Sequence, residues 1–143
     1  MEYRRKKKTI VVRLDRGEEI ISALTEVCQR EKITFAAISG IGAADQATVG
    51  LYNVEEQVYR KTELTGPMEI CALTGNASRK DGEVYLHLHI TLCDEEMRCR
   101  GGHLNACRIA ATAEIVLQVS SLKVERRLDP AVGLNVFLFD EED

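Results

Sequence analysis

The sequence predicts an α+β domain with mostly antiparallel strands. Three observations predict it: one segment of helical periodicity near the start, a train of β-rich runs after it, and turn signals short enough to close hairpins. "TIVVRL" (9 to 14), rich in β-branched residues, reads as the first strand. The helix covers 15 to 32, "DRGEEIISALTEVCQREK", with Asp15 as N-cap and Glu18 three residues later at capping-box spacing. Ile20, Ile21, Leu24, Val27 and Cys28 recur on one face and leave Glu19, Glu26, Arg30 and Glu31 for solvent, so this helix should lie on a sheet. Further strands fall at 33 to 42, 47 to 54, 57 to 64, 68 to 78, 83 to 93, 97 to 104, 109 to 122 and 133 to 139. Turns are expected at Glu55-Glu56, Gly66-Pro67, Lys80-Asp81-Gly82 and Asp94-Glu95. The run "AATAEIVLQV" contains helix-favouring Ala, Glu and Leu, but its clustered Val and Ile assign it to a strand.

A length of 143 residues suits one domain, expected over 9 to 139 between a basic tail (1 to 8) and an acidic tail (140 to 143). The net charge of −4 is unevenly spread: Arg4, Arg5, Lys6, Lys7 and Lys8 crowd the start, while Asp140, Glu141, Glu142 and Asp143 close the chain. A basic pentad attracts phosphate, but five charges on a fraying terminus of an acidic protein read first as a solubilising run. With 45% hydrophobic and 29% charged residues, and no apolar run near the roughly 20 residues that span a bilayer, the composition is that of a soluble globular protein rather than a membrane one. The basic start leads straight into a strand without an apolar segment of signal-peptide length, so a cytoplasmic location is expected. The five cysteines are odd in number and lack C-x-x-C spacing, which predicts reduced thiols rather than a disulfide framework.

The stretch "YLHLHITLC" (85 to 93) carries two of the three histidines on one strand. Side chains alternate across a strand, so Val84, Leu86, Leu88, Ile90 and Leu92 share one apolar face while Tyr85, His87, His89, Thr91 and Cys93 share the other. The apolar face can serve a core, which leaves the histidine face free for chemistry. Positions i and i+2 stand about 7 Å apart at the backbone, and two imidazoles leaning together can close that gap onto one ion at about 2.0–2.1 Å per nitrogen. The third histidine, His103, follows a two-glycine step in "RGGHL", where Gly101 and Gly102 permit a bend or a close approach to a neighbouring strand. If that segment pairs beside 83 to 93, His87, His89 and His103 face one point and can hold a divalent metal, zinc first, with other late first-row ions also suited. Cys93 lies about 13 Å along the strand from His89, too far to share the ion without a bend.

Glu69, inside the apolar run "MEICAL", is the candidate acid–base or histidine-orienting residue, because a carboxylate among apolar neighbours needs a partner. Arg98, Arg100 and Arg108 are the candidates to hold an anionic group of a ligand. "SGIGAAD" contains G-x-G but is followed by strand rather than helix signals, so it reads as a turn and not as a dinucleotide fingerprint. Ser39 lies outside any G-x-S-x-G elbow.

Taken in order, "FAAISGIGAADQATVGLYN", "LTGPMEICALTGN", "HLHITLCD", "GGHL" and "AEIVL" resemble the prokaryotic members of the plants-and-prokaryotes-conserved (PPC) domain family. The resemblance extends over residues 9 to 139. It implies an antiparallel sheet curled around a helix, assembly as a homotrimer, and a metal on His87, His89 and His103. It brings no established reaction. Plant relatives attach the domain to AT-hooks, but "RRKKK" lacks the Gly and Pro that shape one, so a DNA-binding role is the alternative expectation. The first is a trimeric metal protein whose pocket binds or transforms a small polar or anionic ligand.

Overall fold

A computed structural model of the protein describes residues 1–139; the acidic run 140 to 143 lies outside the described residues. Among the described residues the chain forms β1 (Glu2–Lys6), β2 (Thr9–Asp15), α1 (Ile20–Arg30), β3 (Phe35–Asn53), β4 (Val58–Lys80), β5 (Glu83–Cys93), β6 (Cys99–Ser120), β7 (Glu125–Asp129) and β8 (Leu134–Leu138). The α+β expectation holds, with strand dominant and a single helix. Pairing is antiparallel throughout except for a parallel bridge between Arg79 of β4 and Glu125 of β7.

The sheet curls until it closes on itself. Strand β3 pairs with both β4 and β6, and β5 pairs with both as well, so β3, β4, β5 and β6 form a ring. Helix α1 packs on β5 and β6. It buries Ile20, Ala23, Leu24, Val27 and Cys28, the stripe expected from periodicity with Ala23 added and Ile21 only half covered. Leu88, Ile90 and Leu92 of β5 point into this core with Ile10, Val12 and Leu14 of β2 and Ile109, Ile115 and Leu117 of β6.

Several expectations are corrected. The basic tail is a strand: β1 pairs with β2 from Glu2↔Arg13 to Lys6↔Thr9, turning at Lys7 with φ 54°. Without β1, the backbone groups along the outer edge of β2 would lack partners, and the charged side chains suit an edge strand that must not recruit another chain. Tyr3 packs on the core and donates to Glu31 at 2.9 Å, while Arg5 ion-pairs with Glu31 at 2.8 Å. The helix begins at Ile20 rather than Asp15. Gly17, at φ 88°, breaks the chain after β2. Glu18 does reach back to the Asp15 N–H at 2.8 Å, the bond its spacing suggested, but in a turn. The cap is Glu19, whose carboxylate accepts from the N–H groups of Ile21 and Ser22.

The hairpin turns near Glu55-Glu56, Lys80-Asp81-Gly82 and Asp94-Glu95 form as expected. Gly66-Pro67 does not turn back; β4 runs through it with an irregular register opposite Asp45, where Ala44 pairs Met68 and Gln46 pairs Thr65. Predicted strand pairs therefore merge into the long, bent β3, β4 and β6, in which local irregularities supply curvature. "SGIG" is likewise not a turn. Gly40 and Gly42 lie within β3, and a Cβ on Gly42 would sit 2.6 Å from the Thr112 carbonyl oxygen of β6, so close strand approach is what these positions serve.

Candidate metal centre

Strand β5 carries His87 and His89 on the face away from the core, opposite Asn76 and Thr74 of β4. On its other side His89 is the direct cross-strand partner of His103, and β3 meets the same residue through Gly50↔His103. The two glycines before His103 make this convergence sterically feasible. A Cβ on Gly101 would run into the Ile90 carbonyl oxygen of β5, and one on Gly102 would sit 2.6 Å from the Gly50 carbonyl oxygen of β3. Removing both side chains lets β6 pass between its neighbours.

The structure brings the three imidazoles together. Their ring centroids are 5.3 Å (His87–His89), 5.3 Å (His87–His103) and 5.6 Å (His89–His103) apart. One ligating nitrogen from each lies within 4.8 Å of the other two. A tetrahedral ion at 2.0–2.1 Å needs nitrogens about 3.3 Å apart, so small χ rotations bring the set onto one ion. The donor set fits a late first-row divalent metal and leaves coordination positions open.

The histidines sit in the wall of a cavity of about 880 Å³ that is also lined by Tyr52, Tyr59, Lys61, Tyr85, Asn105 and Arg126. Burial pushes His87 down to about 4, with the Arg126 charge and the other two imidazoles acting in the same direction. Burial and His89 lower His103 too. His87 and His103 are therefore neutral, each with a lone pair to give, at pH 7. An unfolded histidine takes up its proton near pH 6.5, whereas folded His87 resists until about pH 4. The metal-free fold should lose stability as pH falls through that window. Thermal melts of chelator-treated protein between pH 7 and 4 should decline less steeply in His87→Gln than in the wild type.

The other predicted site residues lie elsewhere. Glu69 is exposed and stands opposite Cys93 in the ladder, because strand alternation gives the core to its neighbours Met68 and Ile70. It does not line the histidine cavity. Arg98 is held by Asp94 at 2.9 Å and Glu96 at 2.7 Å within the β5–β6 turn. With Arg100 it lines a separate cavity of about 330 Å³. Arg108 is paired with Asp45 at 2.8 Å. None of the three lines the histidine cavity.

The arginine that does reach them is Arg126 on β7, which sequence reasoning missed. It is 7% exposed, and its Nη2 lies 3.5 Å from His87 Nδ1. Burial lowers the guanidinium from its ordinary value. The available signal was weak: Val124 and Arg126 alternate at i, i+2, and both are buried.

Cysteine pairing is also corrected. Cys93 and Cys99 form a disulfide, since the short turn places them directly across the β5–β6 ladder with Cα atoms 4.3 Å apart. Cross-strand adjacency, rather than a C-x-x-C motif, brings them together. Cys28, Cys71 and Cys107 are free. Burial pushes the Cys28 and Cys107 thiols up to about 11 and about 12, so both stay protonated and inert. No helix of the described residues is long and apolar enough to cross a membrane.

The family profile of the Plants and Prokaryotes Conserved (PCC) domain matches residues 1–121. A protein from Bacteroides thetaiotaomicron VPI-5482, named as a candidate DNA-binding protein, superposes with a TM-score of 0.94 at 32% identity, covering 96% of each chain. A metal-containing protein from Archaeoglobus fulgidus superposes with a TM-score of 0.86 at 35% identity, covering 96% of this chain and 97% of that one. In sequence, the bifunctional protein GlmU of Synechococcus sp. (strain JA-3-3Ab) is 34% identical over 125 residues, 85% of this chain. The chain spans only 19% of the length of that relative.

Proposed function

The chain belongs to the Plants and Prokaryotes Conserved domain family, and from that premise we propose that it is a homotrimeric metal-binding protein whose three-histidine site opens into a pocket for a small polar or anionic ligand. One observation carries the reading: His87, His89 and His103 present ligating nitrogens within 4.8 Å of one another. The description of the Archaeoglobus protein as metal-containing supports it. Zinc is the first expectation for three imidazoles with an open position. Bound there, the ion would supply Lewis acidity and activate water. The chain's own residues would hold and orient the ligand: Asn105 already donates to the Tyr59 hydroxyl at 2.6 Å, and that ring stands edge-on to His103 at the cavity wall. The deciding experiment is elemental analysis of protein purified in metal-free buffer, joined to an untargeted search for co-purified small molecules. An ion present in stoichiometric amount supports the site. Protein that stays empty and takes up none of the first-row ions overturns it.

The trimer is supported by apolar surface around the cavity. Leu51, 67% exposed, joins Tyr59 and Leu134 at the rim, and Val54 and Val58 continue the patch along the β3–β4 hairpin. Such a surface is what a subunit interface covers. Light scattering should give a mass of about three chains at micromolar concentration, and a clean monomer would remove the idea of a pocket shared between subunits.

DNA binding is the second reading, favoured by the name of the Bacteroides protein. The basic residues it would use lie on the edge strand β1 and the turn after it, and Arg5 is already engaged by Glu31. A DNA titration across salt concentrations, with Arg4, Lys6, Lys7 and Lys8 changed to Gln, separates the readings. Loss of salt-dependent binding supports the DNA role, whereas no binding by the wild type removes it.

A further inference from the structure

Building on the metal-site reading, we propose that the pocket takes a small organic carboxylate, held with its charged end between the histidine cluster and Arg126. The reason is a buried cation with no carboxylate partner among the described residues. Arg126 is 7% exposed, yet every hydrogen-bond partner of its guanidinium is neutral: Ser78 Oγ at 2.8 Å, Asn135 O at 2.9 Å and Asn76 Oδ1 at 3.0 Å. No carboxylate lies within ion-pair distance among the described residues. Three partners occupy three of the five N–H groups a guanidinium carries. What remains includes Nη2 facing His87 Nδ1 at 3.5 Å, too long for a strong bond.

The whole cavity repeats this imbalance. Its lining holds Arg126, Lys61 and three histidines but, among the described residues, no aspartate or glutamate. Burying a charge without a partner is costly, and an anion that enters the open cavity beside Arg126 would offset that cost. A divalent ion on the histidines would deepen the positive potential, so an anionic oxygen shared between it and Arg126 offsets both.

The walls of the site favour an organic anion. Arg126 Cζ lies 4.8 Å from the Tyr85 ring centroid and 4.2 Å from that of Phe137, and the two rings hold the guanidinium in place. The N–H groups that its three protein partners leave can donate to carboxylate oxygens. A cavity of about 880 Å³ walled by Leu51, Leu134 and Tyr52 also has room and apolar surface for a carbon body that a bare inorganic anion lacks.

The test uses the full chain loaded with cobalt(II), its metal content measured first. Oxalate, succinate and benzoate are titrated as carboxylates, benzamide as the neutral match of benzoate, and phenyl phosphate as the rival anion, with calorimetry and the visible cobalt spectrum as readouts. At least one carboxylate should bind saturably and shift the cobalt bands. Benzamide should bind at least about tenfold more weakly than benzoate, and Arg126→Gln should weaken carboxylate binding by a similar factor with cobalt content unchanged. Should Arg126→Gln fail to fold, the benzoate–benzamide contrast in the wild type and the exposed Lys61→Gln variant still decide. Cobalt uptake with no binding by any of the three carboxylates, equal binding of benzoate and benzamide, or Arg126-dependent binding of phenyl phosphate above all carboxylates overturns the proposal and leaves the metal reading standing. Benzoate binding that depends on Arg126 in a chain that takes up no metal does the reverse.

Discussion

His89→Ala abolishes stoichiometric uptake of a divalent ion while the fold persists; that is the expected result with the largest effect on function. Among the described residues the three imidazoles supply every protein ligand the geometry offers, since their cavity lining contains no carboxylate or thiol. Removing one leaves two nitrogens and more water around the ion, a weaker site for any late first-row metal. Loss of a mere supporting partner already lowers metal affinity by roughly 10–100-fold, so loss of a direct ligand should exceed that range. His89 is the best of the three to replace. It is exposed, whereas His87 and His103 are half-buried, so its truncation opens no core cavity. His87 also stands against Arg126 and would disturb that contact. The measurement is uptake of zinc, manganese, iron(II), cobalt and nickel in turn, by equilibrium dialysis and elemental analysis, with circular dichroism as the fold control. If the wild type binds none of them in a way that His89→Ala diminishes, the histidines instead hydrogen-bond within the pocket or an interface.

The histidine cluster was legible in the sequence because its geometry is local. Strand parity alone puts His87 and His89 on one face, and two glycines announce that the strand bearing His103 comes close. The residues that were misread depend on distant partners. Arg126 looks like one more exposed charge in "ERRLD", yet its burial is created by Asn76 and Ser78, about 50 residues earlier in the chain. Glu69 failed for the opposite reason. Its apolar neighbours in sequence suggest burial, while a strand exposes every second residue whatever surrounds it. The basic segment was misread because an edge strand and a solvated tail call for the same charged residues, and only pairing with β2 separates them. In β3 and β4 the turn-favouring residues Gly40, Gly66 and Pro67 mark register shifts inside long strands, which composition cannot tell from chain reversals.

The opposite face of β5 carries the second large expected effect. Leu88 is 0% exposed and sits in the ring of strands between the histidine cavity and α1, flanked by Leu86 and Ile90 on the same face. Leu88→Ala removes buried methylene and methyl groups and leaves a cavity that a closed sheet cannot collapse to fill, since β5 is pinned on both sides by β4 and β6. The expected loss is about 2–5 kcal/mol, read from denaturant unfolding at a fixed chain concentration so that assembly does not distort the comparison. Metal uptake at saturating ion should survive in the fraction that stays folded, because His87 and His89 keep their backbone positions. The two variants on one strand thus separate: His89→Ala loses the ion and keeps its stability, while Leu88→Ala loses stability and keeps the ion. A Leu88→Ala protein as stable as the wild type would mean that this face is not the core, and with it would fall the assignment of the histidine face to the cavity, since a strand has only these two sides.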